Sequence, residues 1–582
     1  MAVLTVRVVN PGANLYCTEW QVETPMATIL QSELLLQRFY KHARERPNDI
    51  YLTQPVGSGS VKDYSFAEVF DQAKRMAAHL RSLGLPARSR IAILSKNCAH
   101  FFMSDLAIWM AGHVSVALYP TLTADIVHYI LEHSEAKLLY VGKLDTWEEL
   151  RAGVPEQLPC IAYPLAPQTS FPKWDDIVAA AEPIADVPEP AAEDEALIVY
   201  TSGSTGKPKG VLHNFRTISV PTWGLAKILD ANSSDRLLSY LPLAHTMDRW
   251  LSECMSLYAG GHIFFAESVD TFVEDLKRAR PTLFVSVPRL WLKFQLGVFA
   301  KVPQKKLQRL LKIPILSAIV KRKILAGLGL DNVRFAGSGS APIPAELIQW
   351  YRALGLELLE GYGMSENFNY SHLTMPGHGR PGYIGHPYPD VECRLGDGSE
   401  IQVKSPGNMV GYYREPELTR EVMTPDGFLK TGDRGQVDEA GRLKITGRLK
   451  ELFKTSKGKY VAPAPIENLL NADPNVELSL VAGSGREATH AVVQLPEDAL
   501  ARLNEPGVKV RIGAELHRLL DETNAKLPEF ERLAFLVVAR EPWTIEGGQL
   551  TPTMKIKRGV IEESYQPQLD SWYAAKQRVL WL

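Results

Sequence analysis

Helical and strand patterns alternate along the first third of this sequence, and the alternation limits the folds that the chain can adopt. Apolar residues recur at helical spacing from Phe66 to Leu83, and Gly84 follows as a C-terminal stop. The pattern then continues as strand 91–94, helix 101–111, strand 114–119, helix 124–133 and strand 138–141. This βαβ alternation predicts parallel sheets that are covered by helices.

Length and the later patterns predict more than one domain. A chain of 582 residues is too long for one hydrophobic core. From about Val391 onward, short strand patterns separated by Asp-Gly turns indicate an antiparallel part. We therefore predict an α/β fold. Its large N-terminal domain, residues 1–446, would hold parallel βαβ subdomains plus a β-barrel-like part, and a small mobile α+β C-terminal domain would span 447–582.

Composition narrows the class of protein without selecting a substrate. The formal net charge of −2 argues against a polycation that binds nucleic acid by electrostatics. The five cysteines are scattered and form no CxxC pair, which favours a reducing compartment. The N-terminal residues lack the pattern of a secretory signal, and we find no apolar run of about 18 residues that would span a bilayer. We therefore expect a cytoplasmic protein that binds no nucleic acid.

The strongest local signal is the segment Tyr200–Gly210, with the sequence YTSGSTGKPKG, directly after a buried strand pattern. It combines three glycines, four serine or threonine side chains and two lysines. Glycines let backbone N–H groups turn toward an anion, while the hydroxyls add donors and the lysines add positive charge. The segment therefore predicts a phosphate-binding loop rather than a merely flexible polar loop.

Two other nucleotide-binding motifs fail at specific positions. The P-loop of kinases and GTPases needs Gly where Thr201 stands and Ser or Thr where Pro208 follows Lys207. The segment Gly337–Pro342 is not a dinucleotide GxGxxG motif, because it ends in proline. A P-loop kinase is therefore disfavoured.

The segment YTSGSTGKPKG resembles the signature loop of the adenylate-forming superfamily, which includes acyl-CoA synthetases, peptide-synthetase adenylation domains and firefly luciferase. Further matches follow in family order from Tyr200 to Arg558: LPLAH (241–245), AGSGSAP (336–342), EGYGMSE (360–366), GFLKTGD (427–433) and GRLKE (447–451). The resemblance implies an ATP/AMP site. Its residues would be Thr201, Ser202, Gly203, Ser204, Thr205, Gly206, Lys207, Lys209, Gly337, Ser338, Gly361, Tyr362, Gly363, Ser365, Asp433 and Arg448.

The resemblance also implies individual roles within that site. Tyr362 would stack on adenine, Ser365 would bind the α-phosphate, and Asp433 would accept hydrogen bonds from the ribose hydroxyls. Glu366, with Thr201, would hold Mg²⁺, a hard cation that favours carboxylate and phosphate oxygens. Ser365 replaces the commoner threonine but keeps the hydroxyl. Arg448 would reach the ribose or the phosphate.

Catalytic roles are implied for Lys555, His245 and Glu366. Taken alone, His245 is more typical of a structural histidine and Lys555 of a solvated charge, so both assignments depend on the ordered series of motifs. Lys557 is the nearest competitor of Lys555. Lys450 falls at the family's hinge, and Gly458 and Lys459 fall in the loop that lines the coenzyme A tunnel.

The implied activity is ATP-dependent acyl-CoA ligation through an acyl-adenylate, with ATP, Mg²⁺ and coenzyme A required. LPLAHTMDR, the lysine hinge and KYVAPAPIEN (459–468) look most like long-chain fatty-acyl-CoA synthetases. A medium-chain or aryl acid, or an acceptor other than coenzyme A, remains an alternative. Some relatives place an aromatic gate four residues after the histidine, where this chain has Arg249 followed by Trp250. A non-catalytic nucleotide-binding protein would be favoured only if Lys555 or Glu366 were missing.

Residues 301–323 carry eight cations and no acidic residue: Lys301, Lys305, Lys306, Arg309, Lys312, Lys321, Arg322 and Lys323. Leucines and isoleucines lie among them. One interpretation is peripheral contact with anionic lipid at the inner membrane surface, and the other is a solvated helical face. The oligomeric state is not predicted.

Overall fold

The computed structural model describes residues 4–10, 15–20, 29–201 and 207–582, with only the backbone described for 4–10 and 15–20.

The strands, numbered in chain order, are β1 (Leu4–Asn10), β2 (Leu15–Trp20), β3 (Ile50–Gly57), β4 (Ser60–Ser65), β5 (Arg90–Leu94), β6 (Val114–Leu118), β7 (Leu138–Val141), β8 (Cys160–Ala162), β9 (Glu195–Thr201), β10 (Lys209–Asn214), β11 (Arg236–Ser239), β12 (His262–Phe265), β13 (Leu283–Ser286), β14 (Phe335–Ser338), β15 (Leu358–Tyr362), β16 (His372–Leu373), β17 (His386–Pro387), β18 (Glu392–Leu395), β19 (Glu400–Lys404), β20 (Gly411–Tyr412), β21 (Leu429–Val437), β22 (Leu443–Arg448), β23 (Phe453–Lys454), β24 (Tyr460–Val461), β25 (Leu478–Ala482), β26 (Thr489–Gln494), β27 (Leu533–Val538) and β28 (Val579–Trp581).

The α-helices are α1 (Leu35–Glu45), α2 (Phe66–Ser82), α3 (Ala99–Met110), α4 (Ala124–His133), α5 (Trp147–Leu150), α6 (Trp174–Ala180), α7 (Phe215–Leu229), α8 (Thr246–Asp248), α9 (Met255–Ala259), α10 (Phe272–Ala279), α11 (Pro288–Lys301), α12 (Gln304–Leu310), α13 (Pro314–Gly327), α14 (Ala345–Leu354), α15 (Pro416–Val422), α16 (Pro463–Leu470), α17 (Glu497–Ala501), α18 (Val508–Ala525), α19 (Arg558–Tyr565) and α20 (Leu569–Ala575). A π-helical turn, Arg249–Cys254, joins α8 to α9.

A seven-stranded sheet in the order β20-β10-β9-β6-β5-β7-β8 forms the first large layer. Its strands β9, β6, β5, β7 and β8 run parallel, as the βαβ pattern predicts. Helix α2 begins with a Ser65–Glu68 capping box and ends before Gly84, whose φ of 63° suits only glycine well. The antiparallel β9–β10 hairpin places Lys209 opposite Thr201 and so brings together the two ends of the phosphate-loop segment.

Strands β13, β14 and β15 run parallel in a five-stranded sheet. Ser338 at the end of β14 pairs with Glu360 of β15, two residues before Tyr362. The AGSGSAP and EGYGMSE segments therefore leave the same edge of one sheet. In α/β sheets this carboxyl edge is where ligands bind.

The antiparallel part is a six-stranded sheet in the order β1-β2-β18-β19-β21-β22. Within the described ranges no ladder joins its outer strands, β1 and β22, so this part is an open sheet and not a closed barrel. Its β21–β22 ladder sets Asp433 directly opposite Arg448.

A separate small α/β domain follows. Its four-stranded sheet, β25-β26-β27-β28, packs one face against α16 and α18 around Val481, Val493 and Leu516. The other face covers a second cluster that includes Trp543 and Trp572. A mixed α/β chain with a large N-terminal domain and a small C-terminal one is thus confirmed. None of the helices in the described ranges has both the length and the apolar character needed to cross a bilayer.

Candidate active site

The Glu366 turn is built by close backbone packing. Strand β15 ends at Tyr362, and a Cβ atom on the next residue, Gly363, would lie 2.4 Å from the backbone of Asn369, so only glycine fits there. Asn367 Oδ1 accepts a hydrogen bond of 2.9 Å from the Met364 N–H. His213 Nε2 donates to the Ser365 carbonyl at 2.8 Å. Ser365 and Glu366 are therefore held in a fixed 3₁₀ turn.

Tyr412 links the Glu366 turn to the phosphate-loop segment. Its hydroxyl donates to Glu366 Oε1 at 2.7 Å, and Lys209 Nζ lies 5.4 Å from its ring centre. Burial, with the Glu366 carboxylate adding to it, raises the pKa of Tyr412, so the hydroxyl keeps its proton. Sequence reasoning did not assign Tyr412 a role. The signal available was its place in the GYY segment, 411–413.

Asp433 joins two of the predicted nucleotide-binding side chains. The Tyr362 hydroxyl donates to Asp433 Oδ2 at 2.7 Å, and Arg448 Nε donates to Oδ1 at 2.9 Å. The Asp433 charge raises the pKa of Arg448 above its ordinary value. A carboxylate can accept about four hydrogen bonds, so Asp433 keeps capacity for hydroxyl groups of a ligand. The structure thus brings Tyr362, Asp433 and Arg448 together at one edge of the cleft.

The end of β14, with Gly339 directly after it, packs closely against its neighbours beside this cleft. A Cβ atom on Gly337 would lie 2.9 Å from Val285 Cγ2, and one on Gly339 would lie 2.8 Å from Met247 Cε. Gly361, across the β14–β15 pair, has its carbonyl oxygen 3.6 Å from that Gly339 position. Ser338 is buried, and its hydroxyl has no hydrogen-bond partner among the residues described. A buried donor left in this state is suited to a ligand contact.

His245 is the N-cap of the short helix α8. Its Nδ1 accepts a hydrogen bond of 3.0 Å from the Met247 N–H, so the proton of the neutral ring lies on Nε2. Burial, together with the positive charge of Lys555, lowers the pKa of His245 to about 4. The imidazole is therefore neutral at physiological pH and can donate one hydrogen bond through Nε2.

Lys555, from the small domain, lies near His245. It lies in a hairpin closed by the Leu550–Ile556 bridge, and its N–H donates to Thr551 Oγ1 at 3.1 Å. The side chain is open to solvent, yet protein surrounds it closely in the cleft between the domains. This crowding and the Arg448 charge lower the pKa of Lys555, while Asp433, Glu451 and Glu366 act in the opposite direction. The structure therefore gathers Lys555, His245 and Glu366 at one cleft.

Direct contacts join the small domain to the large one around this cleft. Thr121 Oγ1 donates to the Pro552 carbonyl at 3.3 Å, in the Lys555 hairpin. Arg289 donates to the Glu477 carbonyl at 2.6 Å and also pairs with the Glu477 carboxylate. These contacts orient the hairpin toward the nucleotide residues.

The predicted hinge lies beside the cleft, next to Glu451, and the predicted coenzyme A residues lie on a different hairpin. Lys450 is exposed in a 3₁₀ turn, Leu449–Glu451, at the end of β22. Gly458 and Lys459 lie on an exposed hairpin of the small domain, where Lys459 Nζ is 6.0 Å from the Phe530 ring centre. The structure does not bring these two residues to the Lys555 cleft.

Five of the predicted phosphate-loop residues lie outside the described ranges: Ser202, Gly203, Ser204, Thr205 and Gly206. The residues on either side are described. Thr201 ends β9, Lys209 begins β10, and Lys207 is exposed with Nζ 5.2 Å from the Tyr129 ring centre.

Arg249, four residues after His245, is buried inside the large domain. Arg249 is buried and pairs with the carboxylates of Asp105 and Glu253, the latter at 3.0 Å. Trp250 is also buried, with its ring edge-on to Tyr370 and Tyr388. Both side chains therefore belong to the core of the large domain.

An apolar cavity lies beside the His245 turn. Leu238, Leu251, Met255, Phe284, Val285 and Phe335 line it, with Asp248 and Ser252 at one side. The cavity encloses only about 20 Å³, room for about one water molecule, so it does not accommodate a hydrocarbon chain in this arrangement.

A divalent cation here would depend on the nucleotide for most of its ligands. Glu366 uses one carboxylate oxygen to accept from Tyr412, which leaves the other available. The parts of the chain that the structure describes hold no cluster of three or more His, Cys, Asp or Glu residues arranged for a metal. One carboxylate and a threonine hydroxyl fit Mg²⁺, which is commonly held by one or two carboxylates plus substrate phosphates.

The basic segment 301–323 covers the end of α11, α12 and most of α13. Ile313, Ile315 and Ile319 are 52%, 81% and 59% exposed. Lys305, Lys306, Arg309 and Lys312 are exposed as well. The structure thus places cations and bare isoleucines on one stretch of surface.

Comparison with known sequences matches most of this chain to one family. A profile described as "AMP-binding enzyme" matches residues 39–413, and one described as "AMP-binding enzyme C-terminal domain" matches 451–577. Similar curated proteins include long-chain-fatty-acid–CoA ligase FadD15 of Mycobacterium bovis, 29% identical over 94% of this chain and 98% of its own. Long chain acyl-CoA synthetase 6 of Arabidopsis thaliana, peroxisomal, is 30% identical over 88% of this chain and 82% of its own.

Solved structures show the same fold. The adenylation domain of a carboxylate reductase from Mycobacterium chelonae superposes with a TM-score of 0.75 at 24% identity, covering 93% of this chain and 91% of that one. The anthranilate CoA ligase AuaEII, in complex with anthranoyl-AMP, has a TM-score of 0.75 at 21% identity, covering 93% of this chain and all of its own. At these identities the likeness concerns the fold alone.

Proposed function

Since the chain belongs to the AMP-binding enzyme family, we propose that it is an acid–thiol ligase that activates a long-chain fatty acid as its acyl-adenylate. The acyl group then passes to coenzyme A, with AMP and pyrophosphate as the other products. Long-chain-fatty-acid–CoA ligases that align over most of the chain support this proposal. Fatty acid metabolism is the corresponding pathway class.

The proposal is carried by the Lys555 hairpin, which contacts the large domain at Thr121, and by the Asp433–Arg448 pair, whose charges act on Lys555 together with that of Glu366. A carboxylate and an α-phosphate repel each other, and the carboxylate oxygen is a poor leaving group until it is activated. An ammonium between the two anions removes the repulsion and supports the charge that develops on the phosphorus oxygens. His245, neutral and with Nε2–H available, would orient the acid beside it.

Nucleotide binding is proposed for the residues around this cleft. The hydroxyls and N–H groups of Thr201–Gly206, with Lys207 and Lys209, would hold the β- and γ-phosphates. Tyr362 would face adenine, Ser365 the α-phosphate, and Asp433 the ribose. Gly337, Ser338, Gly361 and Gly363 would allow the nucleotide to approach the backbone closely. Glu366 and Thr201 would hold Mg²⁺, which supplies charge neutralisation on the phosphate oxygens when it is bound.

The acid itself is proposed from the relatives. Curated proteins that align over most of this chain are named long-chain-fatty-acid–CoA ligases, which favours a long aliphatic chain. A medium-chain or aryl acid, or a non-CoA acceptor, is the alternative function.

The second half-reaction is proposed to need a different domain arrangement. Gly458 and Lys459, proposed to line the coenzyme A path, lie on an exposed hairpin while Lys555 fills the cleft. We therefore propose that the small domain, 447–582, turns about Lys450 against the large domain, 1–446. Lys555 then leaves and the Gly458 hairpin enters.

We also propose that the protein is cytoplasmic and contacts anionic lipid through residues 301–323. Exposed isoleucines beside cations combine apolar insertion with attraction to lipid phosphates. This surface would bring the enzyme to the place where long-chain acids accumulate.

Pyrophosphate release and thioester formation test the function together. Purified protein is given ATP, Mg²⁺ and a panel of aliphatic and aromatic acids, with and without coenzyme A. We expect AMP and pyrophosphate with long-chain acids and a thioester when coenzyme A is added. Turnover with benzoates alone would contradict the long-chain proposal, and adenylate without thioester would contradict coenzyme A as the acceptor.

A further inference from the structure

The turn that carries His245, residues 241–245, is held by side chains from outside it. Its own backbone contributes the His245 N–H to Pro242 carbonyl bond of 2.9 Å. Asn97 Nδ2 donates to the Leu241 carbonyl at 2.7 Å, and Asn97 Oδ1 accepts from the Leu243 N–H at 3.2 Å. One carboxamide therefore binds the turn at two points with its donor and its acceptor.

Asn97 is itself fixed by a buried carboxylate that follows the turn. Its Nδ2 also donates to Asp248 Oδ2 at 2.9 Å. Ser239 donates to the same oxygen at 2.6 Å, and Ser252 donates to Oδ1 at 2.9 Å. Asn97 and Asp248 are 8% and 3% exposed, so water does not compete for these bonds.

Two further bonds tie the turn to its neighbours. Arg249 Nε donates to the Leu243 carbonyl at 3.1 Å, while its other nitrogens hold Asp105 and Glu253 in the core. Thr246 Oγ1 donates to Asn369 Oδ1 at 3.1 Å, and Asn369 packs against Gly363 in the Glu366 turn. The His245 turn is thereby connected to the first sheet, where Asn97 follows β5, and to the Glu366 turn.

From this network we propose that Asn97 is a positioning residue for acyl-adenylate formation, acting through the 241–245 turn on His245. The inference rests on the proposed function. Asn97 itself would touch neither nucleotide nor acid. It fixes the turn from which the imidazole reaches the cleft, and a displacement of about 1 Å at such a group can cost about 10²-fold in rate.

A double-mutant cycle separates positioning from general stability. Adenylate formation is measured by pyrophosphate release for the wild-type protein, Asn97→Ala, His245→Ala and the double variant. If Asn97 acts through His245, each single substitution lowers kcat by about 10- to 100-fold. The double variant should fall within about twofold of His245→Ala, because residues that act as a unit are not additive. The KM for ATP should change little in Asn97→Ala.

Asn524→Ala is the matched control, since Asn524 also bridges a backbone carbonyl and N–H, both of Leu533, but in the small domain. It should lower the unfolding temperature without lowering kcat. If Asn97→Ala does not fold, the near-isosteric Asp248→Asn replaces it in the same cycle. Independent, multiplicative losses in kcat would overturn the positioning role. A wild-type protein that forms no adenylate would instead refute the proposed function, so the two failures are distinguishable.

Discussion

Crowding by protein and nearby charges of both signs determine the pKa of Lys555. Crowding by protein and the nearby Arg448 favour the neutral amine, while Asp433, Glu451 and Glu366 favour the ammonium. Two bound anions, the acid and the α-phosphate, would also favour the ammonium form of Lys555. The residue is therefore tuned to be cationic when the substrates are in place.

Removing this ammonium should separate the two half-reactions. We expect Lys555→Ala to lower acyl-adenylate formation by about 10²–10³-fold, the usual loss when one such electrostatic donor is removed. Thioester formation from supplied acyl-AMP should largely remain. Lys557→Ala, two residues along the same segment, serves as the control and should retain both rates. Equal loss of both steps in Lys555→Ala would contradict the turning of the small domain.

The pH dependence of adenylation should report Lys555. Its pKa in the free enzyme lies below the ordinary 10.5, so the neutral amine accumulates as pH rises through that lowered value and kcat/KM falls. Arginine stays protonated throughout this range. In Lys555→Arg the alkaline decline should therefore move to higher pH, whatever the absolute rate. Superimposable profiles would assign the decline to another group.

Tyr412 should support the Glu366 carboxylate. Tyr412→Phe removes the 2.7 Å hydrogen bond to Glu366 Oε1 and nothing else of similar size. A hydrogen bond to a charged group contributes about 1.5–3 kcal/mol, so adenylation at limiting Mg²⁺ should fall by about 10- to 150-fold. Tyr413→Phe is the control variant, because the ring of Tyr413 packs against His133. Equal Mg²⁺ dependence in both variants would remove Tyr412 from the site.

The elements around the site follow from local sequence to different degrees. The predicted helix from Phe66 and strand at 91–94 correspond to α2 and β5, because periodicity and a glycine stop are local signals. The antiparallel strands were predicted, but closure depends on how the edge strands meet, and β1 and β22 stay unpaired with each other in the described sheet. Closure of a sheet into a barrel therefore cannot be predicted from the sequence of any single strand.

Contacts between distant elements account for what sequence reasoning missed. Tyr412 meets Glu366 because β20 pairs with β10 and the preceding Met409 N–H donates to the Glu366 carbonyl at 2.7 Å. Asn97 meets the His245 turn from a different sheet. Spacing placed Arg249 where some relatives have an aromatic gate and left its role open, and the structure shows it buried between the carboxylates of Asp105 and Glu253. Motif order proposes the nucleotide-binding side chains, whereas the contacts that hold those side chains in place follow only from the tertiary structure.

The surface formed by α12 and α13 should bind anionic lipid. We expect Ile315→Ser combined with Lys305→Ala and Lys306→Ala to reduce sedimentation with phosphatidylserine-containing vesicles, since each basic residue contributes about 1 kcal/mol near such a surface. Adenylation of a water-soluble acid should be unchanged. Lys576→Ala, an exposed lysine in the small domain, is the control. Vesicle binding unaffected by the triple substitution would favour a solvated helical face.

At the scale of the molecule, one chain presents two functional surfaces from one small domain. The Lys555 hairpin occupies the cleft, and the Gly458 hairpin lies exposed elsewhere. On the proposed roles, the two hairpins would serve the cleft in turn, in different arrangements of the small domain. The order of the two half-reactions would thus be set by which hairpin faces the nucleotide.

A bulky residue at Gly458 should therefore affect only the second step. Gly458 has a φ of 77°, and a Cβ atom there would meet only Lys454 Cε, at an ordinary contact distance of 3.8 Å. Gly458→Leu should therefore leave adenylate formation within about twofold while thioester formation falls by about tenfold or more. Gly485→Leu has a similar φ of 68° and open surroundings in the same domain. It reproduces the backbone strain and should keep thioester formation. Loss of adenylation in both variants would indicate misfolding instead.

The hydrogen bond from Thr121 to the Pro552 carbonyl has a consequence for timing. A neutral bond of this kind is worth about 1 kcal/mol net, little more than thermal energy. Under the proposed turning of the small domain, this bond would favour the arrangement with the Lys555 hairpin inward, and it would have to break, together with the Arg289–Glu477 contact, before the second half-reaction. A stronger bond between Thr121 and Pro552 would hold the domains in the first arrangement, with the acyl-adenylate still bound.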